Sequence, residues 1–232
     1  MQPRVIVQDV IDHVQFWFDV FPRLYYQPLP WLHYETARRG EGTKARWKAI
    51  EASLEGQTIR SAMDIGCNIG YFCFSLAEAG IPTVGIEVDE RALRIARYTA
   101  RKLGQKNVAF ENLTVSQQTL AILPQVDAVL LLSVWHHWVH LHGLDVATEM
   151  LAGVWGKCQQ NFYFETGEGE MPAEFGLPKM EPTPEEWLKQ YLTETCVGGR
   201  VEVLGKFKAF GVEGDEQKDI AYRTLLVVRR VH

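Results

Sequence analysis

Cysteine is scarce. The four present (Cys67, Cys73, Cys158 and Cys196) form no C-x-x-C pair and have no zinc-type spacing. That excludes a disulfide scaffold and a cysteine-built metal centre, and predicts buried free thiols in a reducing, cytoplasmic compartment. No apolar run reaches the roughly 20 residues of a membrane span. The first residues mix Arg4, Asp9 and Asp12 among the apolar ones, which is not the pattern of a secretory signal. Positive charge is in deficit, with 24 Lys and Arg against 29 Asp and Glu and a formal net charge of −5. This disfavours a nucleic acid as partner. Internal repeats and low-complexity tracts are absent, and no feature sets an oligomeric state. A length of 232 residues fits one domain with a small addition.

What is present divides the chain at about residue 56. Val10, Val14, Trp17 and Phe21 recur at helical spacing. Pro22, Pro28 and Pro30 then break an aromatic-rich loop holding Tyr25, Tyr26, Trp31 and Tyr34. A second helix is predicted from Thr43 to about Leu54. Residues 1–56 therefore read as a helical N-terminal lid or appendage, and 57–232 as the core. Within 35–48, Arg38, Arg39, Lys44, Arg46 and Lys48 outnumber Glu35 and Glu41. Arg46, and next Arg38, are the candidate cations for an anionic group.

From residue 59 strand-like and helix-like runs alternate. Strands are predicted near 60–65, 82–87, 107–112, 126–133 and 159–165. Helices are predicted near 70–79, 89–103, 117–123, 141–155 and 184–194. That alternation predicts a parallel sheet covered by helices. Val126–Leu132 is apolar on both sides, as a central parallel strand is. Two further runs, 201–207 and 222–228, flank a charged connection with Gly211, Gly214, Asp215 and Asp219 and read as an antiparallel hairpin.

The stretch Asp64-Ile-Gly66-Cys67-Asn68-Ile-Gly70 follows the first strand and opens a helix. A strand, a tight turn and a helix N-terminus make a nucleotide-type cofactor site. Asn68 stands where a dinucleotide fold has the glycine that lets backbone approach a pyrophosphate. This points to a nucleoside ligand without a diphosphate. Glu87 ends the second strand about 20 residues later, where an acid accepts hydrogen bonds from ribose hydroxyls.

AMDIGCNIGYF, TVGIEVDERAL and VDAVLLLSVWHHW resemble the first, second and fourth motifs of the class I S-adenosylmethionine-dependent methyltransferases. The resemblance covers residues 59–166 closely. It implies an α/β, three-layer Rossmann-like fold with a seven-stranded, mostly parallel sheet and a C-terminal antiparallel hairpin. It implies S-adenosyl-L-methionine as cofactor, with Asp64, Gly66 and Gly70 around its methionine part, Glu87 on its ribose, and Cys67 and Asn68 also among the cofactor-binding residues. It implies adenine beside the loop after the third strand, and Ser133 at the site. Where the family often has an adenine-binding acid, this chain offers Thr114 or Asn112. Ser133-Val134-Trp135-His136 lacks the proline-rich tetrapeptide of enzymes that methylate base amino groups or glutamine amides.

His136, His137, His140 and His142 cluster after the fourth strand. His136 and His140 share the i, i+4 spacing of a metal pair, but position 137 is not the Glu of that motif and no third ligand is evident, so no metal is expected. His136 or His137 is the candidate general base. Glu165, at the end of a Phe-Tyr-Phe strand, is expected on the acceptor side as a further candidate catalytic residue, and Glu168 and Glu170 in a Gly-rich loop, with Glu170 solvated. The expected reaction is methyl transfer to an oxygen (hydroxyl, carboxylate or phosphate) of a small metabolite or glycan, and an anionic acceptor fits the same reading. The competing readings are a non-catalytic cofactor-binding module on the same fold and a nicotinamide-dependent oxidoreductase.

Overall fold

The seven strands hydrogen-bond in the order β3-β2-β1-β4-β5-β7-β6 in a computed structural model. The structure describes residues 11–16, 18–19, 27–29, 40–209 and 221–231. The strands are β1 Ala62–Ile65, β2 Thr83–Glu87, β3 Val108–Asn112, β4 Val126–Leu132, β5 Cys158–Glu165, β6 Gly199–Lys208 and β7 Tyr222–Arg230. The first five run parallel, and β7 lies antiparallel between β5 and β6. The seven-stranded sheet and its terminal hairpin are as the sequence predicts. The connection holding Gly211 and Asp215 lies outside the described residues, as do Tyr25, Trp31, Tyr34, Arg38 and Arg39.

Residues 11–16 and 18–19 are helical, as the spacing of Val10, Val14, Trp17 and Phe21 predicts, and they are followed by α1 Gly40–Leu54, α2 Tyr71–Glu78, α3 Glu90–Leu103, α4 Trp135–His142, α5 Leu144–Trp155 and α6 Pro184–Thr195. Alternate residues of the central strands supply two cores. Val129, Leu131, Phe162, Phe164, Leu226 and Val228 face one way, toward Trp135, Met150 and Leu188. Ala128, Leu130, Tyr163, Leu225 and Val227 face the other, toward Ile50, Phe72 and Leu76. Both sheet faces are covered, which gives three layers.

Helix ends follow local chemistry. Asp89 caps α3 by accepting from the Arg91 amide at 2.8 Å, and Gly104 closes it in the left-handed region. Thr183 caps α6, with Pro184 in its first turn. Three expectations shift. The predicted helix over 117–123 is only a 3-10 turn at Leu120–Ile122, cut short before Pro124. The helix predicted from 141 begins instead at Leu144, and a separate helix, α4, precedes it, the two divided at Gly143 with φ 82°. The helix α1 packs on the sheet rather than standing apart, with Ile50 fully buried in the second core.

Gly85 of β2 faces the buried cluster of Cys67, Cys73 and Phe110. A Cβ there would come within 2.8 Å of Cys67 Sγ, Cys73 Sγ and a Phe110 ring carbon. Gly85→Ala is therefore expected to destabilise the protein by about 1–3 kcal/mol, the ordinary cost of overpacking, read from urea denaturation midpoints.

Candidate active site

The carboxyl ends of the parallel strands open into a cavity of about 520 Å³. The turn after β1 forms its floor. Gly66, Asn68 and Gly70 all take positive φ (73°, 51° and 87°), which folds the chain back sharply before α2. A side chain on Gly66 would collide with Val134, and one on Gly70 would reach the Phe110 ring at 2.8 Å. Asn68 adopts the left-handed conformation that Asn tolerates best among non-glycine residues. The Asn68 amide donates to Glu87 Oε2 at 2.9 Å, so the turn and the end of β2 hold each other.

Glu87 is fixed from its other side too. Its Oε1 accepts from the amides of Val88 (2.7 Å) and Asp89 (3.0 Å). The carboxylate thus stands in a set orientation at the cavity wall, with three of its roughly four lone-pair sites taken and one on Oε2 left for a ligand. Asp64 is 2% exposed yet also lines the cavity. Burial raises its pKa to about 7, with a smaller contribution from the charge of Glu87 and a small offset from the Cys73 thiol that donates to it at 3.5 Å.

Beyond β3, Leu113, Thr114 and Val115 line the cavity. Asn112 does not: its amide donates to the Glu87 and Val88 carbonyls at 3.3 and 3.1 Å and ties the β2–α3 loop to β3. Cys67 likewise turns away, buried with Cys73, Phe74 and Phe110. Of the two residues considered for adenine, Thr114 is the one at the wall.

The β4 side carries Ser133 and α4. Ser133 has φ 61°, uncommon for a non-glycine residue and held here by three contacts. Its amide donates to the Glu165 carbonyl (2.8 Å), its hydroxyl donates to Glu165 Oε1 (2.8 Å), and the hydroxyl accepts from Arg223 Nη1 (2.9 Å). Along α4, Val134, His137, Trp138 and Leu141 recur at i, i+3, i+4 and i+7 and line the cavity.

The two candidate histidines separate. His136 is 3% exposed and does not line the cavity. Its Nδ1 accepts from the Gly167 amide at 3.0 Å and lies 3.2 Å from the Thr166 hydroxyl, so the neutral ring carries its proton on Nε2. His137 is exposed at the cavity, and its pKa is lowered by partial desolvation, then by the nearby charges of Arg223 and His140. His140 Nδ1 meets the Glu174 carbonyl at 2.9 Å. Among the described residues no three His, Cys, Asp or Glu side chains group as a metal ion would require.

Glu165 lies behind the wall rather than on it. It is 1% exposed and accepts from Arg46 Nη1 through both oxygens at 2.8 and 3.1 Å. Arg46 itself lines the cavity, with Nε donating to the Gly42 carbonyl at 3.2 Å. Glu168 and Glu170 are not solvated loop acids. Glu170 accepts from the buried Arg223 at 2.6 Å, and Glu168 accepts from the Thr224 amide at 2.5 Å, with burial raising the Glu168 pKa. These bonds pin the loop after β5 to β7.

Two wall residues escape sequence reasoning. Gln27 and Thr43 both line the cavity, and the buried Oε1 of Gln27 has no hydrogen-bond partner among the described residues. A glutamine in a proline-broken loop carries no local signal of such a role. Arg223, within a β7 run that reads as plain strand, is likewise invisible until the hairpin folds back.

The raised pKa of Asp64 sets a pH dependence. The folded protein keeps a proton that the unfolded chain releases above its ordinary value near 4, so this group's contribution to stability falls from about pH 4 to pH 7. Asp64→Asn removes that loss. The stability of the variant relative to the parent is expected to rise by up to ~1.4 kcal/mol per pH unit across that window and to level off above it, measured by denaturation at pH 4, 5.5, 7 and 8.

Comparisons with known proteins bear on this geometry. A family profile described as a methyltransferase domain matches residues 63–161. The chain is 28% identical over 139 residues to the O-antigen chain terminator bifunctional methyltransferase/kinase WbdD of Escherichia coli, covering 60% of this chain and 19% of that protein. It is 32% identical over 84 residues to a ubiquinone biosynthesis O-methyltransferase of Alkalilimnicola ehrlichii, covering 36% and 32%. The chain thus spans 19% of the length of the first of these relatives. Among solved structures, WbdD in complex with a kinase inhibitor superposes with a TM-score of 0.67 at 23% identity, over 88% of this chain and 45% of that one. Magnesium protoporphyrin IX methyltransferase from Synechocystis with bound S-adenosylmethionine gives 0.63 at 18% identity, over 100% and 98%.

Proposed function

Because the chain belongs to the class I S-adenosylmethionine-dependent methyltransferases, we propose that it transfers the cofactor's methyl group to an oxygen of a small-molecule or glycan acceptor, with His137 as general base. One observation carries the reading: the order of chemistry along the strand ends. From β3 to β5 the sheet presents Leu113, Thr114 and Val115, then Glu87, then Asp64 on the glycine turn, then Ser133, and finally Arg46 held over β5 by Glu165. An apolar slot suits a base, a fixed carboxylate suits a ribose diol, and an acid followed by a cation suits a zwitterionic amino acid. That series matches S-adenosylmethionine from adenine to carboxylate.

The residues present fit the group. The unpartnered Gln27 Oε1 is an acceptor placed for a donor that no neighbouring side chain supplies, as the cofactor's ammonium would. A nicotinamide dinucleotide would leave both Asp64 and Arg46 without this zwitterion, which is why the oxidoreductase reading is the weaker one.

When bound, the cofactor supplies an electrophilic methyl group on a sulfonium sulfur. The protein's work is then alignment and proton removal. Val134, Trp138 and Leu141 give the α4 wall an apolar surface for the body of the acceptor, with His137 in its middle. The lowered pKa leaves the His137 ring neutral at pH 7, ready to take the proton of an acceptor hydroxyl. The likeness to WbdD, whose name describes an O-antigen chain terminator, supports a glycan within the same acceptor class.

Glu87→Ala is expected to weaken S-adenosylhomocysteine binding by about 1–3 kcal/mol in calorimetry, the loss of hydrogen bonds to a charged group. Tight NAD binding by the parent protein without S-adenosylhomocysteine binding would overturn the proposal. Transfer of a labelled methyl group into a lysate of the source organism identifies the acceptor. With that acceptor, kcat should hold constant down through the ordinary histidine range near 6.5 and decline only below it. His137→Gln should abolish that acidic limb and lower kcat about 10²–10⁴-fold while leaving S-adenosylhomocysteine affinity unchanged.

A further inference from the structure

Five buried or half-buried side chains form one chain of hydrogen bonds behind the cavity. Arg46 donates to Glu165, Glu165 accepts from Ser133, Ser133 accepts from Arg223, and Arg223 donates to Glu170. The side chains of Arg46, Glu165 and Arg223 are 7%, 1% and 4% exposed. The links join α1, the ends of β4 and β5, β7 and the loop after β5. Only Arg46 and Ser133 of the five reach the cavity.

An arginine has many rotamers, and a cation at a cavity wall without a counter-charge would swing toward solvent. Glu165 removes that freedom. It takes one guanidinium nitrogen with both carboxylate oxygens, and the Gly42 carbonyl takes Nε. Nη2 has only a long 3.4 Å contact to Thr43 Oγ1 and retains donor capacity. Glu165 is itself oriented by the Ser133 hydroxyl, whose proton is directed to it because Arg223 occupies the lone-pair side of the same oxygen. Arg223 in turn is held by Glu170 and by a 3.4 Å contact to Met171 Sδ.

We propose that Glu165, through the relay Ser133–Arg223–Glu170, is a positioning residue that fixes Arg46 to receive the carboxylate of the cofactor's amino-acid end, so that this end of the site depends on the docking of the loop after β5. The inference rests on the cofactor reading above. It makes a distinction that a merely structural role does not. Ligands carrying the amino-acid carboxylate should feel the network, and ligands ending at the thioether should not.

The test is calorimetric titration of the full chain with S-adenosylhomocysteine and with 5′-methylthioadenosine, which shares the nucleoside but lacks the amino acid. Glu165→Gln is expected to weaken S-adenosylhomocysteine tenfold or more and to leave 5′-methylthioadenosine within twofold. Glu170→Gln, at the far end and 15% exposed, should do the same more mildly, by severalfold, and serves if Glu165→Gln does not fold. Equal weakening of both ligands, or no change in either, would overturn the proposal. If the parent protein binds neither ligand, the cofactor reading itself fails, and this proposal with it.

Discussion

A guanidinium and a carboxylate taken out of water together, Arg46 and Glu165, set the terms for the rest of the molecule. Desolvation of such a pair costs several kcal/mol per ion, and the pair persists only where further hydrogen bonds complete both partners. Here Gly42 and Thr43 engage the rest of the guanidinium while Nη2 keeps donor capacity, and Ser133 supports the carboxylate. Ion-pair geometry is therefore inseparable from the packing of α1. Gly42 has no side chain because the Lys208 carbonyl of β6 occupies that space, and Ile50 is buried one face along in the core. The same contacts that seat α1 on the sheet deliver its cation to the cavity.

The cavity concentrates acids at one side and cations at the other, against the tendency of buried charges to neutralise. Glu87 stays fixed because three amides converge on it. Asp64 has no such support, and its pKa rises to about 7. An ammonium placed beside Asp64 would reverse that shift, in line with the proposed seat for the cofactor's amino group. The opposite end is held ready by the buried network rather than by the ligand, an arrangement that lowers the ordering cost at binding.

What could be read from the sequence was local. The turn at 64–70 and the acid at Glu87 lie within one strand–turn–helix–strand unit, so spacing alone brings them together. The hairpin declared itself through two apolar runs. The histidines did not resolve, because His136 and His137 are a helical step of about 100° apart and the face each presents depends on where the helix starts. With α4 beginning at Trp135, the first turns into the β5 loop and the second onto the cavity. Glu165 was expected on the acceptor side because a charge ending an aromatic strand needs a partner. The partner exists, but it is 119 residues away in α1, a pairing that no spacing rule can supply. Glu170, Arg223 and Gln27 share that difficulty: each gains its place through contacts between segments distant in sequence.

Asn68 shows how a correct inference can rest on the wrong atom. Its presence suggested that backbone could not approach a diphosphate, as if a glycine conformation were missing. Yet Asn68 adopts φ 51°, the conformation a glycine there would take, and its amide is directed to Glu87. The backbone path is preserved. What differs is the side chain, whose Oδ1 accepts from the Ile69 amide at 2.9 Å. The Asn68 amide is thus committed to Glu87 and the Ile69 amide to the asparagine side chain. Amides of this kind are the groups that a phosphate at a helix N-terminus requires. Two of the amides that could meet a diphosphate at this turn are therefore already in use within the protein.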